Sequence, residues 1–236
     1  MNDITKLTEN SNLSKSNFLS WIIHEIRTPL NAIIGISQVQ LQRRDLQKNI
    51  KDDIEKIYSS GIDLLGIVNT ILDIYKIETE TLEIHPIESE IARHLEGFSY
   101  KSKNKSAHLS NIPEPMSHGK VLVVDDIETN LYVAEAMLAL YELEIDIVQS
   151  GFEAIEKIES GNRYDIIFMD HMMPHMDGIQ TTQKLRQMGY NRAIVALTAN
   201  ATIGSDKLFK QYGFDDFISK PIDGEYLNTI LTRHIP

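Results

Sequence analysis

Eight residues, Ile50, Ile54, Ile57, Gly61, Leu64, Val68, Ile71 and Tyr75, recur at spacings of 4, 3, 4, 3, 4, 3 and 4. That period is the seam of an amphipathic helix and fits neither a strand nor a loop. Ile62, Leu65 and Leu72 form a second row, which widens the apolar face beyond a two-stranded seam. Upstream, Phe18 to about Arg43 also reads as helix, with Leu19, Ile22, Ile26 and Ile33 on one side and Pro29 as its only interruption. The charged stretch Arg43–Gln47 reads as a turn. Two such helices joined by a short turn make an antiparallel hairpin, and one hairpin cannot bury both of its apolar faces. Either it packs on another part of the same chain, or two hairpins pair into a four-helix bundle.

From Lys120 the period changes. Val121–Val124 is a short apolar run that ends in Asp125-Asp126, followed by helical spacing through Leu131, Ala134, Met137 and Leu138. Strand-like segments at Glu144–Gln149, Tyr164–Met169, Ala193–Leu197 and Phe217–Ser219 then alternate with helix-like segments at Phe152–Glu159, Ile179–Met188, Ser205–Tyr212 and Gly224–His234. Five βα units with apolar strands predict a parallel sheet covered on both faces, and right-handed crossovers make it a doubly wound α/β fold of flavodoxin-like type. The chain is therefore expected to be multi-domain, with a helical hairpin followed by an α/β domain.

Charge excludes one function class. Of the net charge of −11, the first 118 residues carry −3 (13 basic, 16 acidic) and the remainder −8 (10 basic, 18 acidic). A nucleic-acid footprint needs clustered Lys and Arg, so none is expected. The absence of cysteine excludes disulfides, thiolate metal sites and cysteine nucleophiles. No apolar run approaches the ~20 residues that span a bilayer. The polar N-terminus lacks the apolar core of a signal peptide, so a cytoplasmic location is expected, with any membrane span on another chain.

In an open parallel sheet, ligands sit beyond the carboxyl ends of the strands. Here those ends read Asp125-Asp126, Asp170, Thr198-Ala199 and Lys220-Pro221. Three carboxylates crowded on one edge repel unless a cation neutralises them, and Mg²⁺ favours such hard oxygen ligands. A hydroxyl and an ammonium beside them can hold phosphoryl oxygens. Two other readings of this edge are a flavodoxin-like domain with coincidental acidic ends and a zinc cluster using His171 and His175. In the first helix, His24 stands next to Glu25, one turn before Thr28 and Pro29. A neutral imidazole has a free lone pair near pH 7 and can accept a phosphoryl group. Proline removes one helical hydrogen bond, so the helix is expected to loosen or bend just after His24.

The run His24-Glu25-Ile26-Arg27-Thr28-Pro29-Leu30-Asn31 closely resembles the H-box of bacterial sensor histidine kinases. The resemblance implies that residues 17–84 form their dimerisation and phosphoacceptor (DHp) domain, with a homodimer made through the helical hairpin. It implies that His24 carries the phosphoryl group and that Glu25 makes the neighbouring imidazole a better nucleophile. Glu25 and Thr28 also fit the E-x-x-T pattern with which such bundles position water to dephosphorylate a partner receiver. Residues 1–16 read as a polar helical extension. The family's ATP-binding domain is expected to be absent, because only about 35 residues separate His85 from Lys120 and the 12 glycines contain no Gly-x-Gly pair. Residues 85–118, with three lysines, Pro113 and Pro115, read as a linker or as the remnant of a deleted ATPase domain, in which Ile87–Phe98 could be a stub of helix or strand.

Residues 119–236 resemble the receiver domain of response regulators. Asp170, with Met172, Pro174 and Asp177-Gly178, matches the phosphoacceptor and its loop. Asp125 and Asp126 match the metal-binding pair, Thr198 the switch hydroxyl, Phe217 the switch aromatic and Lys220 the lysine, while Pro221 invites a cis Lys–Pro bond. This implies a Mg²⁺ (or Mn²⁺) site formed by Asp125, Asp126, Asp170 and the Met172 carbonyl. Together the two resemblances imply a truncated hybrid histidine kinase acting in two-component phosphorelay. It would exchange phosphoryl groups between His24, Asp170 and partner proteins: a histidine kinase, a phosphotransfer protein or a response regulator. It would not label itself from ATP alone. The alternatives are an interaction module that heterodimerises with a complete kinase and is phosphorylated in trans, and an engineered or decayed fragment. A transcription-factor reading is weak, with no room after the last receiver helix for a DNA-binding domain.

Overall fold

The fold is that of a computed structural model, which describes residues 22–23, 25–43, 45–78, 114–198 and 205–235. His24 lies outside the described residues, as do residues 1–21 and 79–113, so the proposed extension and most of the linker are not placed. The described residues fall into two compact units.

In the first unit, the start of helix α1 (residues 25–41, of which those after Leu30 belong to the second unit) meets helix α2 (Lys48–Glu78). Ile23 and Val68 bury against one another. Arg27, itself buried, donates from its guanidinium to the Asn69 side chain at 2.6 Å. Residues 25–41 are continuously helical through Pro29. Arg27 and Leu30, buried on either side of the proline, supply the packing that holds the weakened turn.

The seam of α2 divides into two rows. Gly61 and Val68 are buried, whereas Ile50, Ile57, Leu64 and Ile71, seven residues apart, are all exposed. On α1, Ile26 and Ile33 are also exposed. One hairpin thus covers one row and leaves the other open.

The second unit holds a five-stranded parallel sheet of order β2-β1-β3-β4-β5. Its strands are β1 (Lys120–Val124), β2 (Glu144–Val148), β3 (Ile166–Asp170), β4 (Ala193–Thr198) and β5 (Asp216–Ser219). Helices α3 (Glu128–Ala139) and α7 (Gly224–His234) cover one face, and α4 (Gly151–Glu159), α5 (Gly178–Gln187) and α6 (Ser205–Gln211) the other. The central strands β1, β3 and β4 are almost wholly buried, which is why they read as continuous apolar runs, while the edge strands β2 and β5 keep Glu144 and Asp216. Alternate side chains feed opposite cores: Val121, Val123, Phe168 and Val195 face α3 and α7, and Leu122, Val124, Met169 and Ile194 face the other three helices.

Local sequence starts the helices where the pattern demands. Ser150 caps α4 by accepting from the Glu153 N–H, and the Glu153 carboxylate accepts in return from the Ser150 hydroxyl at 2.8 Å. Asp177 and Asp223 cap α5 and α7 in the same way. This unit also includes Asn31–Leu46, and Gly35 lies so close to α3 that a Cβ there would come within 2.8 Å of Val133.

Candidate functional site

The strand order places the ends of β1, β3 and β4 side by side, and the acidic residues follow from that. Asp125 and Asp126 leave β1, and Asp170 is the last residue of β3. A carboxylate oxygen from each lies within 4.8 Å of the others. Asp125 and Asp170 are buried, Asp126 half-buried. Lys220, just past β5, reaches in from the opposite side. Its ammonium lies 2.6 Å from Asp125 Oδ2 and 3.0 Å from Asp170 Oδ2. The peptide bond between Lys220 and Pro221 is cis.

The electrostatics follow from burial and from this one cation. Burial pushes the Asp125 carboxyl above the usual carboxylate range, and the neighbouring Asp170 charge adds to the shift against the pull of Lys220. For Asp170 burial acts in the same direction, but His171, whose Nδ1 lies 3.6 Å away, and the Lys220 ammonium outweigh it and hold the group below its ordinary value. Burial alone would lower Lys220; the two carboxylates raise it instead. Asp170 is therefore ionised at neutral pH.

Three carboxylates against one ammonium leave an excess of negative charge in a mostly buried place. The donors are hard oxygens on one side of a cleft, which fits a small divalent cation such as Mg²⁺. Among the described residues this acidic trio is the one such grouping. His171 and His175 form no metal cluster with it: the His171 ring is tied to the Leu197 carbonyl, and His175 is exposed with a φ of 67°.

The other candidate residues take their places around this centre. Thr198 ends β4 and is buried; its carbonyl accepts from the Lys220 N–H at 2.7 Å. Asp170 pairs in register with Leu197, so Thr198 lies one residue past the point opposite Asp170. Phe217 on β5 is half-buried and stacks on Phe209 with centroids 5.9 Å apart. The Met172 backbone N–H points at Asp170 Oδ1 at 3.4 Å, and its side chain is exposed. Glu25 and Thr28 lie on α1, exposed and half-buried respectively.

The contacts that orient Asp125 escaped the sequence reading. Asn130, on the first turn of α3, donates to Asp125 Oδ1 at 2.9 Å, and the Ile127 N–H donates to the same oxygen at 3.0 Å. That leaves Oδ2 of Asp125 for Lys220. Their signal was an asparagine one turn beyond the acidic pair. Gly178 is needed because a Cβ there would come within 2.1 Å of the Asp170 carbonyl oxygen. Asn31, buried on α1, borders a small cavity of about 20 Å³ together with Asp125, Asn130 and Lys220.

A buried carboxylate, an acidic pair beside it and a lysine bridging them at one strand edge suit a site that accepts a phosphoryl group. Comparison with known proteins agrees. Residues 121–232 match the response regulator receiver domain family, and residues 14–80 match the His Kinase A (phospho-acceptor) domain family. Two-component response regulator 24 of Arabidopsis thaliana is 40% identical over 112 residues, 48% of this chain and 81% of that protein. Hybrid signal transduction histidine kinase L of Dictyostelium discoideum is 41% identical over 123 residues, 49% of this chain but 7% of that much longer protein. A solved receiver domain of the sensor histidine kinase PA1611 from Pseudomonas aeruginosa PAO1, with a magnesium ion coordinated in its active-site cleft, is 36% identical, at a TM-score of 0.45, and covers 50% of this chain and 97% of that one.

The chain belongs to the response-regulator receiver family and carries a histidine-kinase phosphoacceptor domain ahead of the receiver. It joins the two phosphoacceptor modules of two-component phosphorelay signalling. No helix among the described residues is long and apolar enough to cross a membrane.

Proposed function

We propose that the chain passes phosphoryl groups between His24 and Asp170, its own or those of partner proteins, and does not phosphorylate itself from ATP. The observation that carries this reading is the bridging of Asp125 and Asp170 by the Lys220 ammonium at one strand edge. In it, Asp170 is the nucleophile: an ionised Oδ attacks the phosphorus of a phosphohistidine or a small phosphodonor, and the bond to the donor breaks as the acyl phosphate forms. Lys220 follows the charge onto the transferred oxygens, and Thr198 moves to the same group as Phe217 turns inward. Asp125, Asp126 and Asp170, with the Met172 carbonyl, would hold a Mg²⁺ ion, which would supply charge neutralisation for the transferred oxygens.

In the hairpin, residues 17–84 form the dimerisation and phosphoacceptor domain, with Glu25 and Thr28 serving transfer and hydrolysis beside His24. The experiment is a pair of labelling reactions. Acetyl phosphate with Mg²⁺ labels Asp170, whereas ATP with Mg²⁺ alone leaves the chain unlabelled. Label entering His24 from ATP alone contradicts the reading.

The open row Ile50, Ile57, Leu64 and Ile71 supports a homodimer in which two hairpins complete a four-helix bundle. The double variant Ile57→Glu/Leu64→Glu is expected to run as a monomer by light scattering while its receiver still takes up phosphoryl groups. Each buried leucine or isoleucine contributes about 1.5–3 kcal/mol, so four such charges in the bundle centre exceed what it can absorb. A dimer unchanged by the double substitution rules out this interface.

A further inference from the structure

The phosphoacceptor is followed by a histidine whose ring does something the reading above leaves unused. His171 Nδ1 lies 3.1 Å from the Leu197 carbonyl oxygen. A carbonyl only accepts, so Nδ1 carries the proton and donates. The same carbonyl accepts the His171 backbone N–H at 3.3 Å. Residue 171 therefore ties the end of β3 twice to the residue that immediately precedes Thr198. The far side of the ring meets Phe209 on α6 edge-on, with centroids 6.1 Å apart and planes at 87°. Phe209 in turn packs edge-on to Phe214 at 5.5 Å and stacks on Phe217 at 5.9 Å. A continuous line of rings thus runs from the neighbour of Asp170 to the half-buried aromatic of β5.

We propose that His171 is a positioning residue of the phosphoryl-transfer site: tied to Leu197 and set against Phe209, it holds the Phe209–Phe217 stack in its resting arrangement and so sets how readily Phe217 turns inward. The proposal rests on the reading of Asp170 as phosphoacceptor and of Phe217 as its responding aromatic. Two physical facts carry it. A backbone shift of Thr198 toward a phosphoryl group on Asp170 carries with it the adjacent Leu197 carbonyl that His171 holds. Phe217 cannot turn without leaving Phe209, which His171 supports. Both contacts belong to the resting state, so losing either favours the switched one.

The test uses the full chain with 4-fluorophenylalanine at position 217, read by fluorine NMR with Mg²⁺ and then with added beryllofluoride as an acyl-phosphate mimic. In His171→Leu and in Phe209→Leu, the switched fraction without beryllofluoride is expected to rise roughly two- to tenfold, the change that losing one aromatic pair produces. The double variant rises no further than the larger single, because both act through one contact. Uptake at Asp170 from acetyl phosphate, measured separately in Phe209→Leu, stays within about twofold, since the Phe209 ring packs on His171, Phe214 and Phe217 and carries no charge. Should His171→Leu lose its fold, His171→Phe keeps the ring, lacks the Nδ1–H, and is expected to shift the fraction in the same direction. An unchanged switched fraction, or single effects that multiply in the double variant, overturns the proposal and leaves the receiver reading standing. A wild-type chain that takes up no phosphoryl group at Asp170 overturns both.

Discussion

Asp170→Asn is expected to abolish phosphoryl uptake from acetyl phosphate, a fall of about 10³-fold or more, the scale on which removing a nucleophile acts. The amide keeps the shape of the carboxylate and the Lys220 contact, but it has no ionised oxygen to attack phosphorus. The sheet register fixes Asp170 opposite Leu197, while Asp125 leaves a different strand and is held by Asn130, Ile127 and Lys220. Intact-mass and acid-stability measurements on the treated variant check this. Uptake that persists at the wild-type rate would place the phosphoacceptor elsewhere.

Lys220→Met is expected to lower stability by about 3–5 kcal/mol at pH 7 without divalent cations, because it strands two buried carboxylates with no opposite charge. The dependence on pH has a definite sign. In the wild type, the depressed Asp170 group contributes stability that is present above the ordinary carboxylate pKa and is lost as pH falls through its own lower value. Asp125, raised by burial, works the other way: its contribution is present at low pH and is lost as pH rises through its folded-state value. Removing the ammonium pushes both groups up. The variant should therefore be weakest near neutrality and recover relative to wild type as pH falls and the two carboxyls protonate. Mg²⁺ should raise its melting temperature more than that of the wild type, since the ion then supplies the missing positive charge. Urea titrations across pH 4–8 with and without Mg²⁺ check this. A loss that is largest at acid pH, or absent at pH 7, contradicts the electrostatic picture of the site.

The extent to which the sequence disclosed this protein depends on the range of the interaction involved. The strands β1, β3 and β4 were legible because both faces are buried, and the resulting apolar runs stand out; their observed limits lie within two residues of the reading. The acidic trio and Lys220 were legible because strand ends in a parallel sheet converge by topology. What did not show were contacts made across the fold between residues with no local signature. Asn130 looks like any helical asparagine until α3 turns it toward Asp125. His171 suggested a metal ligand, yet its ring faces Leu197 and Phe209, a direction set by α6, 38 residues away. Pro29 marked a weak point in α1, where the helix nonetheless continues over residues 25–41 with Arg27 and Leu30 buried beside it. The heptad stripe of α2 predicted the apolar seam, but only the fold separates the buried Gly61 and Val68 from the exposed Ile50, Ile57, Leu64 and Ile71.

The central claim is that one chain holds two phosphoacceptors that exchange a phosphoryl group, and following that group tests it most directly. The chain is loaded with acetyl phosphate and Mg²⁺, and phosphoaspartate and phosphohistidine are followed over time in wild type, His24→Gln and Asp170→Asn. The account predicts label first on Asp170 and then on His24 in wild type, label confined to Asp170 in His24→Gln, and none in Asp170→Asn. Label on His24 in the Asp170→Asn variant, or no label at Asp170 in the wild type, would contradict it.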